Sequence, residues 1–248
     1  FQGFWTAEDA AGGVLPNRGA SGASLDATLT GLTPVDGPAL LIPGVGTSTN
    51  YLTFGNLSLS GDAVAEWEFI HSSSAVSGGE IVGDRAGSTG ELTVRYNGAS
   101  TASFDLLWWE SGAAKLATVP HGLTAGERAR MRFLRDMDGG GAGLARCTLQ
   151  KWDGSTWVTV GSAVDVATAG TATTSTFETI VGRWTNKTEL TIFAVAIWDN
   201  ATATGTPLRS LTPADIAAVS ADATTIPLSV GGSATVNRAV SGRQLQIV

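Results

Sequence analysis

The residues of this 248-residue chain best suited to chemistry are a pair of acids, two isolated histidines and several tryptophans. Glu66 and Glu68 lie two apart in the apolar run Ala63-Val-Ala-Glu-Trp-Glu-Phe-Ile70, with His71 just beyond. Strand alternation puts both carboxylates on one face, opposite Trp67 and Phe69. Glycoside hydrolysis needs such a pair, one as acid and one as nucleophile or base. The competing and preferred reading is a solvated strand face. Asp136 and Asp138 open the stretch Asp136-Met-Asp-Gly-Gly-Gly-Ala-Gly143. Alternate aspartates offer hard oxygen ligands and are weak candidates for calcium. The later ligands and closing glutamate of an EF-hand are missing, so a Gly-rich hairpin loop is preferred. No cofactor is expected, with calcium kept as the one exception. His71, His121 and Cys147 have no zinc spacing, and no G-x-S-x-G elbow supports a nucleophilic serine; a triad assembled only in space stays open. Cys147 reads as a small buried apolar residue. Trp108 and Trp109 must point to opposite faces of one strand, one into the core and the other to the surface or an interface. Trp184 stands just before the turn Thr185-Asn186-Lys187-Thr188. Trp108, Trp109, Trp184 and Asn186 are therefore the ligand-binding candidates, set against a reading in which every tryptophan is core.

The elements that must position these groups are organised around Phe177 to Asp199. This stretch reads as two strands joined by the polar turn. In the second, Leu190, Ile192, Ala194, Ala196 and Trp198 share one parity and Thr191, Phe193, Val195 and Ile197 the other. A strand apolar on both sides belongs in the middle of a stacked-sheet core. Trp67, Phe193 and Trp198 are expected in that core. Thr212, Pro213 and Asp215 form a helix-start signature. Strands are expected at Leu40–Gly44, Tyr51–Phe54, Ala63–Ile70, Gly79–Gly83, Glu91–Tyr96, Ser103–Trp109, Ala129–Arg135, Thr148–Trp152 and Trp157–Val160. Asn97-Gly98 and Asp153-Gly154 mark hairpins. This spacing, with no helices between, argues a β-sandwich.

Composition sets the limits. At 43% hydrophobic and 15% charged, the chain can build a sizeable core. A net charge of -7 argues against a general nucleic-acid role. No apolar run reaches the roughly 18–20 residues of a membrane span, so no membrane insertion is expected. Phe1 to Trp5 lack the basic start and apolar core of a signal peptide. The single cysteine excludes an intrachain disulfide.

The run Ile180-Val-Gly182, then Phe193-Ala-Val-Ala-Ile-Trp-Asp199, then Leu211-Thr-Pro-Ala-Asp-Ile216 resembles the end of a laminin-G-like, concanavalin-A-like jelly roll. Met131-Arg-Phe-Leu134, Lys151-Trp-Asp-Gly154 and Trp157-Val-Thr-Val-Gly161 fit the hairpin and following strand of the same family. The resemblance covers Asn50 to Val219. Jelly-roll glucanases carry an E-x-D-x-(x)-E pattern, and Glu66 and Glu68 lack its third acid. In the tail, Ala234-Thr-Val-Asn-Arg-Ala-Val-Ser-Gly-Arg243 resembles a segment of actinobacterial phage minor tail proteins. Asn237-Arg-Ala-Val-Ser-Gly242 also echoes Asn17-Arg-Gly-Ala-Ser-Gly22, as two similar turns would.

These readings imply an all-β jelly-roll β-sandwich over 37–219, flanked by irregular attachment segments at 1–36 and 220–248. The function they imply is a non-enzymatic virion protein of a tail tip, fibre or capsid surface. Its partners would be other virion proteins, copies of itself and a host-surface glycan. A secreted glycan hydrolase is the alternative. Whether the ligand is sugar or protein is left open.

Overall fold

The computed structural model describes residues 14–15, 27–28, 38–42, 50–58, 61–72, 75, 77–82, 93–110, 113–137, 143–167, 176–181, 189–237 and 245–247. In chain order the strands are β1 (Val14–Leu15), β2 (Ala27–Thr28), β3 (Leu40–Ile42), β4 (Tyr51–Ser58), β5 (Ala63–Ile70), β6 (Glu80–Val82), β7 (Thr93–Tyr96), β8 (Ser103–Glu110), β9 (Ala113–Pro120), β10 (Arg128–Asp136), β11 (Leu144–Trp152), β12 (Trp157–Thr159), β13 (Val164–Ala167), β14 (Thr176–Val181), β15 (Leu190–Trp198) and β16 (Arg209–Leu211). Helix α1 (Pro213–Ala217) follows, then β17 (Thr225–Pro227), β18 (Ser233–Asn237) and β19 (Gln246–Ile247).

A nine-stranded sheet runs β12-β11-β10-β5-β15-β3-β19, with β13 added on β11 and β16 on β15. An eight-stranded sheet runs β17-β18-β4-β14-β6-β7-β8-β9. Every pairing among the described residues is antiparallel. Alternation decides what lies between the sheets. Ala63, Ala65, Trp67 and Phe69 of β5 and Ala129, Met131 and Phe133 of β10 point inward, as do Phe104, Leu106 and Trp108 of β8. Phe69 meets Phe104 edge-on at 5.8 Å, and Trp108 meets Phe133 at 5.3 Å. Such rings contribute both buried area and a preferred relative geometry. The chain folds as an all-β sandwich of two antiparallel sheets. The short helix starts as its sequence predicts. Thr212 accepts from the Asp215 amide, and the Asp215 carboxylate accepts from the Thr212 amide in return.

Both strands expected within Phe177 to Asp199 are present, one in each sheet: β14 lies in the eight-stranded sheet and β15 in the nine-stranded one. The expectations for β15 need correction. β15 is central, but its strict alternation breaks. A register shift between Ile192 and Ala194 inserts Phe193 as an extra residue. Leu190 and Ile192 face inward before it, and Val195 and Ile197 after it. Phe193 is fully buried, yet it stands outside the core cluster, beneath the Arg128 guanidinium at 4.1 Å. The same shift turns Trp198 away from the core, where its Nε1 donates to the Gly205 carbonyl. The hairpin at Asn97-Gly98 spans six residues. The hairpin expected there does form, joining β7 to β8, and Asn97 Oδ1 caps its loop by taking the amides of Ala99 and Ser100.

The largest correction concerns the tail. Residues 220–248 are not an appended segment, because they supply strands to both sheets. β18 pairs with β4, β17 with β18, and β19 with β3. Ile226, Ala234, Val236 and Leu245 are core residues, and the Leu245 amide bonds the buried Asn50 side chain at 3.1 Å. Alternating apolar residues at 226, 234 and 236 fill a sheet edge that would otherwise stand open. In the 1–36 segment only the strand pair β1–β2 is described.

Candidate functional site

The outer face of the nine-stranded sheet carries a graded polar surface that follows from strand parity. Once Met131 and Phe133 point inward, Arg128, Arg130, Arg132 and Leu134 must point outward, as must Glu66 and Glu68 on β5. Register then assembles rows across the sheet. Ala196, Glu66, Arg132 and Thr148 form one, and Ala194, Glu68, Arg130, Gln150 and Thr159 the next. Val64, Leu134, Arg146 and Asp165 form a third. The alanines of β15 leave room beside the acids. A groove of about 420 Å³ lies here, lined by Glu66, Arg130, Arg132, Leu134, Arg146, Thr148, Gln150 and Thr159.

The charges of this face are unequally committed. Glu68 is 8% exposed and bridges Arg128 and Arg130, the latter at 3.4 Å. Glu66 Oε1 meets Arg132 at 3.2 Å. Arg146 grips Asp165 with two nitrogens at 2.7 and 2.8 Å, and this fork holds the Asp165 carboxyl below the usual range. Arg130 also lies over the Trp157 ring at 4.2 Å. Trp157 packs in turn on its cross-strand partner Trp152, 5.5 Å away. The Asp153-Gly154 hairpin that joins them is tight: Asp153 Oδ1 accepts the Ser155 and Thr156 amides, which pull its pKa down to about 2.

A second cluster closes one end of the sandwich. His71, Tyr96, Phe104 and His121 stack together, with His71 4.8 Å and Phe104 4.4 Å from the His121 ring. His121 Nε2 donates to the Thr101 carbonyl, and its Nδ1 accepts from the Leu123 amide, so this ring is built to be neutral. His71 Nδ1 bonds the Tyr96 hydroxyl at 2.9 Å. Burial first, and the neighbouring His121 second, lower the His71 pKa to about 4, against a smaller opposing pull from Glu127. Burial lowers His121 as well and raises Tyr96. Neither ring bonds a serine hydroxyl or a carboxylate among the described residues, so no Ser-His-Asp relay runs through them there.

The sequence candidates fare unevenly. Trp108 is 2% exposed and packs on Phe133, so it is core and not a ligand platform. Trp109 has the opposite parity on β8, and its side chain lies outside the described residues, as do Trp184 and Asn186. Asp136 ends β10 with its Oδ1 buried and unbonded among the described residues, and Asp138 falls outside them. No group of three or more His, Cys, Asp or Glu stands together as a metal site among the described residues. Cys147 is buried, and burial pushes its thiol up to about 12. Sequence reading overlooked Trp152, Trp157 and the arginines of β10 as a site. The signal was present in the alternation of Arg128, Arg130 and Arg132, whose parity opposes Met131 and Phe133.

No family model matches the chain, and no curated protein matches it in sequence. Among solved structures it is similar to the native heptameric SAP-like pentraxin from Limulus polyphemus. The identity is 15% and the TM-score 0.45, over 68% of this chain and 80% of that chain.

Proposed function

We propose that the chain is a non-enzymatic binding module whose ligand lies across the outer face of the nine-stranded sheet. The observation that carries this reading is the groove between β5, β10, β11 and β12. It is polar and half-exposed, and the half-buried Trp152–Trp157 pair flanks its row of arginines. Its lining holds one carboxylate, Glu66, whereas glycoside hydrolysis takes two across the scissile bond. Glu68, the other acid of the strand, bridges two arginines. Both points favour binding over turnover.

The finer reading is a surface protein of a virion, from the resemblance of Ala234–Arg243 to phage minor tail proteins. It would assemble with other virion proteins or with copies of itself and present the groove to a host glycan. Isothermal titration of the chain against an oligosaccharide panel tests the binding step. Trp157→Ala, which removes the support under Arg130, and Gln150→Ala should each weaken whatever binds by about fivefold, since a cation–π contact and a polar contact each contribute on the order of 1 kcal/mol. Binding that ignores both substitutions refutes the groove as the site. Release of reducing ends that disappears in Glu66→Gln would instead establish the hydrolase.

A further inference from the structure

We infer that the ligand of this groove is an acidic saccharide, its carboxylate or sulfate seated on Arg130 and Arg132; this rests on the binding reading above. The chain carries a net charge of -7, yet Arg130, Arg132 and Arg146 line the groove against the single acid Glu66. Glu68 and Asp165, just outside the lining, pair with Arg130 and Arg146, so what distinguishes the groove is unspent donors and not net charge. The three arginines are not equivalent. Arg146 is consumed by its fork on Asp165. Arg132 gives Glu66 one nitrogen at 3.2 Å, and Arg130 gives Glu68 one at 3.4 Å. A guanidinium has five N–H donors in a planar fork that matches a carboxylate or sulfate. The remaining donors of Arg130 and Arg132 make no bond among the described residues. The two arginines stand two residues apart on one face of β10, roughly 7 Å along the strand. The Trp157 ring under Arg130 fixes that guanidinium in place before any ligand arrives.

The rest of the lining favours a sugar over an acidic peptide. Thr148, Gln150 and Thr159 present hydroxyls and an amide beside the arginines, suited to the hydroxyls of a saccharide. A peptide would seek apolar pockets for its side chains, and among the described lining residues Leu134 alone is apolar.

The test uses the full chain and matched probes: oligogalacturonate, its methyl ester, a sulfated oligosaccharide and its desulfated form, with polyglutamate for comparison. At least one acidic form should bind tenfold or more tighter than its neutral counterpart at low salt, and the preference should shrink in high salt. Arg132→Gln should abolish the preference. Its side chain is 37% exposed, and an unchanged melting curve shows that the variant folds. Glu66→Gln should tighten the acidic ligand by releasing Arg132, the reverse of what loss of a catalytic acid would do. Equal binding of acidic and neutral forms, both weakened by Gln150→Ala, overturns the inference and leaves the binding reading standing. Polyglutamate bound more tightly than any saccharide overturns it as well. No binding by any probe overturns the inference and removes the support for a glycan-binding groove.

Discussion

Acidification should destabilise this protein before its carboxylates begin to titrate, and the cause is the histidine pair at the end of the sandwich. The chain has only two histidines, and both belong to that cluster. Folding lowers the proton affinity of each, so the unfolded chain binds more protons wherever pH lies between the folded and unfolded values. Stability is then full above the ordinary histidine value of about 6.5 and falls as pH drops through it toward the folded value. For His71 that window runs from 6.5 to about 4. Linkage converts this shift into a loss of about 2 kcal/mol at about pH 5, before allowance for solvent. Water at the rim, where His121 is partly exposed, screens the effect, so roughly 1 kcal/mol is expected. Glu127, which faces His71, opposes the shift; burial raises its own carboxyl, and bonds to Lys151 and Thr124 outweigh that and hold it below the usual range. The assay is urea unfolding followed by tryptophan fluorescence between about pH 7.5 and about pH 5, where an unchanged slope shows that the same surface unfolds. The double variant His71→Gln/His121→Gln should lose the pH dependence over that range, whatever its absolute stability. A wild-type midpoint flat over the range, or an unaltered decline in the double variant, would refute the reasoning.

Three further outcomes follow from the packing. Deleting 220–248 should leave an unfolded or aggregating chain by circular dichroism, because three strands and four core residues leave with it; a cooperatively folding truncated protein contradicts the tail's place in both sheets. Trp67→Ala should cost about 3–5 kcal/mol in denaturant unfolding and Trp198→Ala only about 1–2, since the first is core and the second half-buried; equal costs would place both in the core. Glu68→Ala should cost about 1–3 kcal/mol, and Glu68→Gln less, because Ala leaves Arg128 and Arg130 without the acceptor between them. A neutral Glu68→Ala would mean that this bridge contributes nothing.

The sandwich was legible because its strongest strands alternate cleanly. β5 and β10 read correctly for face as well as position, since a wrong parity would bury Glu66 or Arg132. The Thr212–Asp215 cap was legible because its chemistry is local. β9 was not, because Ala113, Ala114, Lys115 and Ala117 have weak strand preference; its place comes from eight cross-strand partners on β8. The bulge at Phe193 was hidden for a related reason: it depends on pairing with β5, and nothing in the run from Leu190 to Trp198 announces an extra residue. The tail was misjudged because its strands are short and separated by turns, so only the sheets they complete identify them. The candidate site was half legible. Outward acids and arginines could be counted, but Glu66 meets Arg132 across 66 residues of chain. Which cations keep spare donors is settled by that long-range register.

The two outer faces of the sandwich differ in how far their polar groups are already committed. On the eight-stranded sheet Asp105 faces outward by parity and is nevertheless 2% exposed. Asn97 and Thr118 bond its Oδ1 at 2.8 and 2.9 Å, and Arg95 approaches its Oδ2 at 3.5 Å. The groups of that network bond one another, and the donor left over among the described residues, Arg95 Nε, is buried out of a ligand's reach. Beside it Leu107 pairs with Leu116, which is half-exposed and apolar. On the nine-stranded sheet each lining arginine has an acid partner, but Arg130 and Arg132 keep donors that make no bond among the described residues. A polar ligand gains most where donors are already ordered but not yet bonded, because the ordering cost was met on folding. That condition holds over Arg130 and Arg132 and fails around Asp105, so substitutions that leave Asp105 intact but exchange Arg132 should move binding without moving the fold.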